Sequence, residues 1–204
     1  DLSNTALGTA GDRFLGQCPA LQQVVLPSPM VSLGGSAFEN CRRLVSVDLS
    51  ATSLRSVGKF FFDGSGLTEI VLPHTLERMG DAAFFGCRSL VSVDLSQTQV
   101  VNLGNYFAKQ CSQLTEVAFP PTLESIGEHC FMHADKLRTI DLSHTAVADI
   151  GEEFAGIGFS FRERPERDVL LPQALLPIAE ETGWKPGGAR LQAELWWAQE
   201  KSES

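Results

Sequence analysis

Basic residues are scarce in this 204-residue chain: 16 Lys plus Arg stand against 25 Asp plus Glu, a formal net charge of −9. A field of that sign repels phosphate backbones and sets the chain against nucleic-acid binding. Long apolar runs are lacking too, none approaching the ~20 residues of a membrane-crossing helix, so no span is expected. The five cysteines include no C-x-x-C pair, no Asn-x-Ser/Thr acceptor occurs, and the opening segment lacks the basic-then-apolar pattern of a secretion signal. Unpaired thiols lean towards a reducing compartment. Charged residues make up 20% of the chain and hydrophobic residues 43%, which is enough to bury a core and too much for a disordered tail.

What is present is a repeat. Leu21, Leu44, Leu67, Leu90, Leu114 and Leu137 follow one another at intervals of 23 or 24 residues. Three positions after each stands Val24, Val47, Ile70, Val93, Val117 or Ile140, and two further on Leu26, Leu49, Leu72, Leu95, Phe119 or Leu142. A glycine recurs in every unit (Gly11, Gly34, Gly58, Gly80, Gly104, Gly127, Gly151), followed at three or four positions by a phenylalanine: Phe14, Phe38, Phe61, Phe84, Phe107, Phe131 or Phe154. The [VI]-x-[LF] alternation turns its first and third side chains one way and the middle one the other. Strands this short bury nothing alone. Stacked as successive coils about 4.8 Å apart, they build one continuous apolar ladder. The recurring glycine is expected to supply a positive-φ turn or a close backbone approach, and the phenylalanine to pack back from the opposite wall.

The units alternate. Pro27, Pro73, Pro120 and Pro172 follow the strand in one kind of coil, and Ser3, Ser50, Ser96 and Ser143 in the other, where the sequence reads D-L-S-x-T, as from Asp48 to Thr52 and from Asp94 to Thr98. The true unit is a pair of coils. Proline lacks an N–H and belongs where strand pairing ends. Serine and threonine hydroxyls bond backbone groups at the same corner.

The pattern L-x-x-[VI]-x-[LF]-P-x-x-[LM]-x-x-[IVLM]-G-x-x-[AC]-F-x-x-C-x-x-L, fullest in Leu67 to Leu90, resembles the BspA-type leucine-rich repeat. The resemblance covers residues 1–158 and implies an α/β leucine-rich-repeat solenoid. The expected form is a right-handed superhelix with a short-stranded parallel sheet on its concave face and loops or short helices on its convex face. It also implies protein binding, often on microbial or protist surfaces, and no catalytic residues. The strict D-L-S-x-T alternation departs from it.

The ends differ from the middle. Phe159 to Arg167 inserts a charged stretch, after which Val169-Leu170-Leu171-Pro172 restores the strand signature in a degenerate last coil, giving an expected unit at 159–183. Residues 184–204 hold Trp184, Trp196 and Trp197, with Leu191 and Leu195 at helical spacing, and are expected to form a helical cap and a polar tail. Trp196 and Trp197 are alternatively partner anchors, since tryptophan is enriched at interface hot spots. Asp1 starts inside a strand signature, so further coils or a cap are expected upstream.

Few residues point to chemistry. Cys18, Cys41, Cys87 and Cys111 stand seven positions after the repeat glycine, where Ser65 and Ala134 replace them in other coils, so the position reads as packing. His129 and His133 have a spacing that holds zinc when further ligands exist, and none is evident. Gly64-Ser65-Gly66 and Gly156-Ile157-Gly158 lack the strand–turn–helix setting of a nucleophile elbow or phosphate loop. No catalysis, cofactor or metal is expected. The outward strand positions say more. One column reads Asp1, Val25, Asp48, Val71, Asp94, Ala118 and Asp141; its neighbour reads Gln23, Ser46, Glu69, Ser92, Glu116 and Thr139. Acids alternate between the columns, either to keep an open sheet soluble or to receive a basic partner. Asp48, Glu69, Asp94, Glu116 and Asp141 are the expected partner-binding residues. The alternatives are a structural subunit of a large assembly held through residues 159–204, and a cell-surface adhesin.

Overall fold

The computed structural model describes residues 1–151, 154–155 and 168–172, and within them the chain winds as a parallel-strand solenoid. The described residues form thirteen short strands, numbered in chain order. The three-residue strands β3 (Ser46–Asp48), β5 (Glu69–Val71), β7 (Ser92–Asp94), β9 (Glu116–Ala118), β11 (Thr139–Asp141) and β13 (Asp168–Leu170) are the [VI]-x-[LF] rungs and build one wall. Each central side chain, from Val47 to Val169, is buried, and Val47 stands beside Ile70, Val93 beside Val117, and Ile140 beside Val169. A second wall is made by the two-residue strands that precede the repeat glycines: β1 (Thr9–Ala10), β2 (Ser32–Leu33), β4 (Ser56–Val57), β6 (Arg78–Met79), β8 (Asn102–Leu103), β10 (Ser125–Ile126) and β12 (Asp149–Ile150). β1, β2, β4 and β6 pair as one parallel sheet, and β8, β10 and β12 as another.

The alternation of coils is visible in the pairing. On the first wall, hydrogen-bonded pairs form two by two, β3 with β5, β7 with β9, and β11 with β13. Each joins a D-L-S-x-T coil to the coil after it, extended by one further bond such as Leu49 N–H to Val71 O at 2.9 Å or Leu95 N–H to Ala118 O at 2.8 Å.

The short helices expected opposite the strands do not form: the described residues contain no helix, so the fold is a β-solenoid and not an α/β one. The reason lies in the backbone after the repeat glycine. Two residues four positions apart take left-handed φ in each coil: Arg13 and Gln17, Ser36 and Asn40, Phe60 and Gly64, Ala82 and Gly86, Tyr106 and Gln110, His129 and His133. Alternate N–H groups then point along the solenoid axis. Phe60, Phe62 and Gly64 donate to Asp81, Ala83 and Phe85 of the next coil, each at 2.8 Å. A helix would have turned those donors back onto its own preceding turn. A left-handed non-glycine residue costs roughly 1–2 kcal/mol, which the inter-coil bonding of neighbouring backbone groups offsets.

The repeat glycines resolve the other way. None takes a left-handed φ; what they supply is close approach. A Cβ on Gly34 would lie 2.5 Å from the Asp12 nitrogen, and one on Gly151 would lie 2.5 Å from the Glu128 nitrogen. The backbones of successive coils therefore nest at this corner. Behind them the phenylalanines interdigitate. Phe38, Phe62 and Phe84 stack nearly parallel at 5.1 and 5.7 Å between centroids, while Phe84, Phe107 and Phe131 continue edge-to-face. All five rings are fully buried.

Candidate functional site

The first wall presents its outward side chains in columns, because strands in register bring equivalent residues together. Asp48 and Asp94 are exposed and Asp141 is partly so; Glu69 and Glu116 are exposed one column over and one coil out of phase. The acids therefore run as a zigzag along the axis. β13 continues the wall in register, with Asp168 beside Thr139.

The two kinds of acid differ in what holds them. In each D-L-S-x-T corner the aspartate accepts the backbone N–H of the serine two residues on: Asp48 Oδ1 from Ser50 at 2.8 Å, Asp94 Oδ1 from Ser96 at 2.8 Å, Asp141 Oδ1 from Ser143 at 2.9 Å. Asp1 repeats this with Ser3 at 2.9 Å. The threonine completes the corner. Thr52 and Thr98 are buried, and each donates its hydroxyl to the carbonyl three residues back at 2.7 Å. Hydrogen bonds from the Ser50 hydroxyl and N–H hold the Asp48 carboxyl below its ordinary value, and Ser143 does the same to Asp141. These aspartates build turns as well as carrying charge. Glu69 and Glu116 have no side-chain bond among the described residues and carry charge alone.

Between the acids lie apolar side chains. Among the described residues seven large hydrophobics are exposed, and five of them, Val25, Val45, Val71, Val91 and Leu170, belong to this wall. The valines are about half exposed, from 47% to 50%. Val45 and Val91 directly follow the coil leucine in the Ser coils, whereas Val71 takes the aspartate's place in a Pro coil, so they zigzag opposite to the acids. Thr68 lies between Val45 and Val91 and Thr115 in the coil beyond, donating their hydroxyls to the Val45 and Val91 carbonyls at 3.2 and 3.1 Å. On the other wall two ion pairs join neighbouring coils. Arg55 pairs with Glu77 at 2.7 Å and Lys59 with Asp81 at 2.6 Å.

The remaining candidates settle into the scaffold. Cys41, Cys87 and Cys111 are buried free thiols donating to the carbonyls of Leu15, Phe62 and Phe84 at 3.1, 3.1 and 3.0 Å, and Cys18 is partly buried. Burial raises the Cys41 thiol and pushes Cys130 up to about 12, so these sulfurs stay protonated. His129 and His133 are the left-handed residues of a single turn, His129 stacking on Tyr106 at 5.4 Å. Among the described residues no three potential metal ligands gather. Trp196 and Trp197, the stretch 159–167 and the expected cap at 184–204 lie outside the described residues.

Coils that stack parallel strands through a leucine ladder and nest at a glycine corner make this a leucine-rich-repeat solenoid. The chain belongs to the BspA-type leucine-rich-repeat family, whose profile matches residues 50–154 in six copies. The crystal structure of a leucine-rich repeat protein from T. pallidum superposes with a TM-score of 0.64 at 22% identity, over 91% of this chain and 81% of that one. A leucine-rich cell surface protein from Faecalibacterium prausnitzii A2-165 gives 0.52 at 24% identity, over 74% of this chain and 41% of that one. At these identities the likeness concerns the fold. No curated protein matches the sequence significantly. Among the described residues no helix is long and apolar enough to cross a membrane.

Proposed function

We propose that the chain is a non-catalytic protein-binding module and that its three-residue-strand wall, the concave face of the expected superhelix, receives a basic segment of a partner. Membership of a family often used in protein interaction or cell-surface roles supports the class. The observation that carries the site is the run of exposed acids from Asp48 to Glu116 on this wall, which ends in the next coil at the exposed Arg138, in the outward place of Val45 and Val91. Glu69 and Glu116 stand exposed with no side-chain partner among the described residues, near half-exposed valines, while Arg55 and Lys59 of the other wall are paired. Unpaired charge of one sign steers an opposite partner, and the apolar residues beside it hold that partner once docked.

The glutamates give the clean test. Fluorescence anisotropy with a labelled oligolysine at low salt should show binding to the native chain and its loss in Glu69→Lys/Glu116→Lys. Stability should stay within about 0.5 kcal/mol, as for other exposed substitutions away from turns. Unchanged binding in the double variant rejects this face.

A further inference from the structure

The same wall has a length scale, and the length scale selects the shape of what lies on it. Its backbone N–H and C=O groups lie in the plane of the wall, where they join β3 to β5 and β7 to β9. A segment crossing the strands therefore meets side chains only. It cannot borrow main-chain hydrogen bonds from the face as an added edge strand does. A polyproline-II segment has no such need, because its backbone forms no internal hydrogen bonds and remains hydrated.

Pitch points the same way. Asp48, Asp94 and Asp141 recur every second coil, and so do Glu69 and Glu116 in the adjacent column. At about 4.8 Å between strands the repeat along the axis is about 9.6 Å. A polyproline-II helix advances about 9.3 Å per three-residue turn, so its equivalent side chains stay within about 1 Å of the acids across two intervals. The seven-residue repeat of an α-helix is about 10.5 Å and drifts by nearly 2 Å over the same span. Same-face residues of an extended strand recur at about 6.7 Å and lose phase after one interval. The side chains match as well. Val71 is half exposed between Asp48 and Asp94, and Val45 and Val91 border the glutamate column on its far side, where proline rings of the triplets would pack.

We propose that the partner segment is a polyproline-II peptide carrying Lys or Arg at every third position, laid along the solenoid axis with its basic edge on Asp48, Asp94 and Asp141. Glu69 and Glu116 flank that edge from the neighbouring column. The inference rests on the binding face proposed above and adds the conformation and spacing of its occupant.

The test compares two fluorescein-labelled peptides of identical composition and charge. One is four Pro-Pro-Lys triplets; the other is the same residues with the lysines clustered in pairs. Circular dichroism first establishes that both are polyproline-II. Against the full chain at low salt, the regular peptide should bind about tenfold more tightly, a difference of about 1.4 kcal/mol. Asp48→Asn/Asp94→Asn, in which the amide oxygen still accepts the Ser50 and Ser96 N–H groups, should erase that preference in a chain that still melts cooperatively. Equal affinity for the two peptides overturns the pitch match and leaves the acidic face standing as a binding surface. Failure of both peptides to bind overturns the pitch match and the face together. A preference that survives in the double variant places the peptide elsewhere and overturns the inference.

Discussion

Asp141 and Glu116 occupy neighbouring outward columns, yet they have different work. The aspartate's first partner is Ser143 of its own chain, so its charge is tied to a turn. The sign of its pH dependence follows. A carboxyl held below its unfolded value of 3.8 contributes stability that is present above that value and lost as pH falls through the folded one. Asp63 runs opposite. Burial, and then the charge of Glu39, raise its folded value, so its ionised form opposes folding and that opposition fades on acidification. Urea unfolding at pH 7 and pH 3 should therefore separate them. Asp48→Asn/Asp141→Asn should flatten the acid limb of stability, while Asp63→Asn should stabilise at pH 7 and do little at pH 3. A steeper acid limb in the first variant, or a loss at pH 7 in the second, would contradict these assignments. At this scale the sequence was largely readable. Alternation of Val47 with Asp48 shows which side chain faces in, and the recurring D-L-S-x-T shows a corner. That the aspartates are turn acceptors was not read, because a D-x-S spacing serves a turn and a charged column equally well. Val45 and Val91 were overlooked, although each directly follows a coil leucine in the Ser coils.

Strands and corners obey a different economy from side chains, since each must fit the coil above and below it. The rungs β3 to β13 lie where the [VI]-x-[LF] motif put them, for their period of two has one buried solution. The second wall was hidden: Ser32–Leu33 or Arg78–Met79 is too short to show a period. The absent helices were hidden for another reason. Phe60 and Tyr106 are bulky residues in left-handed backbone, which no local propensity favours, and only the bonds to Asp81 and Glu128 of the next coil make it affordable. The glycine corner gives a sharp contrast at this scale. Gly34→Ala forces a Cβ to 2.5 Å from the Asp12 backbone and should lower unfolding free energy by roughly 2 kcal/mol or more. A Cβ on Gly11 meets nothing within 4 Å, and Gly11→Ala should be neutral or stabilising by up to about 1 kcal/mol. Equal effects of the two substitutions would show that coil nesting is not what fixes the repeat glycine.

For the molecule as a whole, the pairing of unlike coils means that length is adjustable only in phase. Excision of residues 49–94 joins Asp48 to Leu95 and restores the same succession of Pro and Ser coils; it should leave a shorter, folded solenoid. Excision of residues 49–71 joins Asp48 to Leu72 and brings Asp48 beside Asp94 at about 4.8 Å, with like charges opposed across one strand spacing. Far-ultraviolet circular dichroism and thermal melts should find the first deletion cooperative and the second strongly destabilised. Equal stability of the two would show that the coil pair is a sequence habit without structural weight.

The inter-coil bonds of both strand walls and of the left-handed turns all run roughly along one axis. Tension between the ends of the described solenoid would load those bonds head-on, and the first coil to part would leave its neighbour next in line. Such a body yields like a zip, in many small extensions at modest force, and it re-closes on whichever coil is still intact.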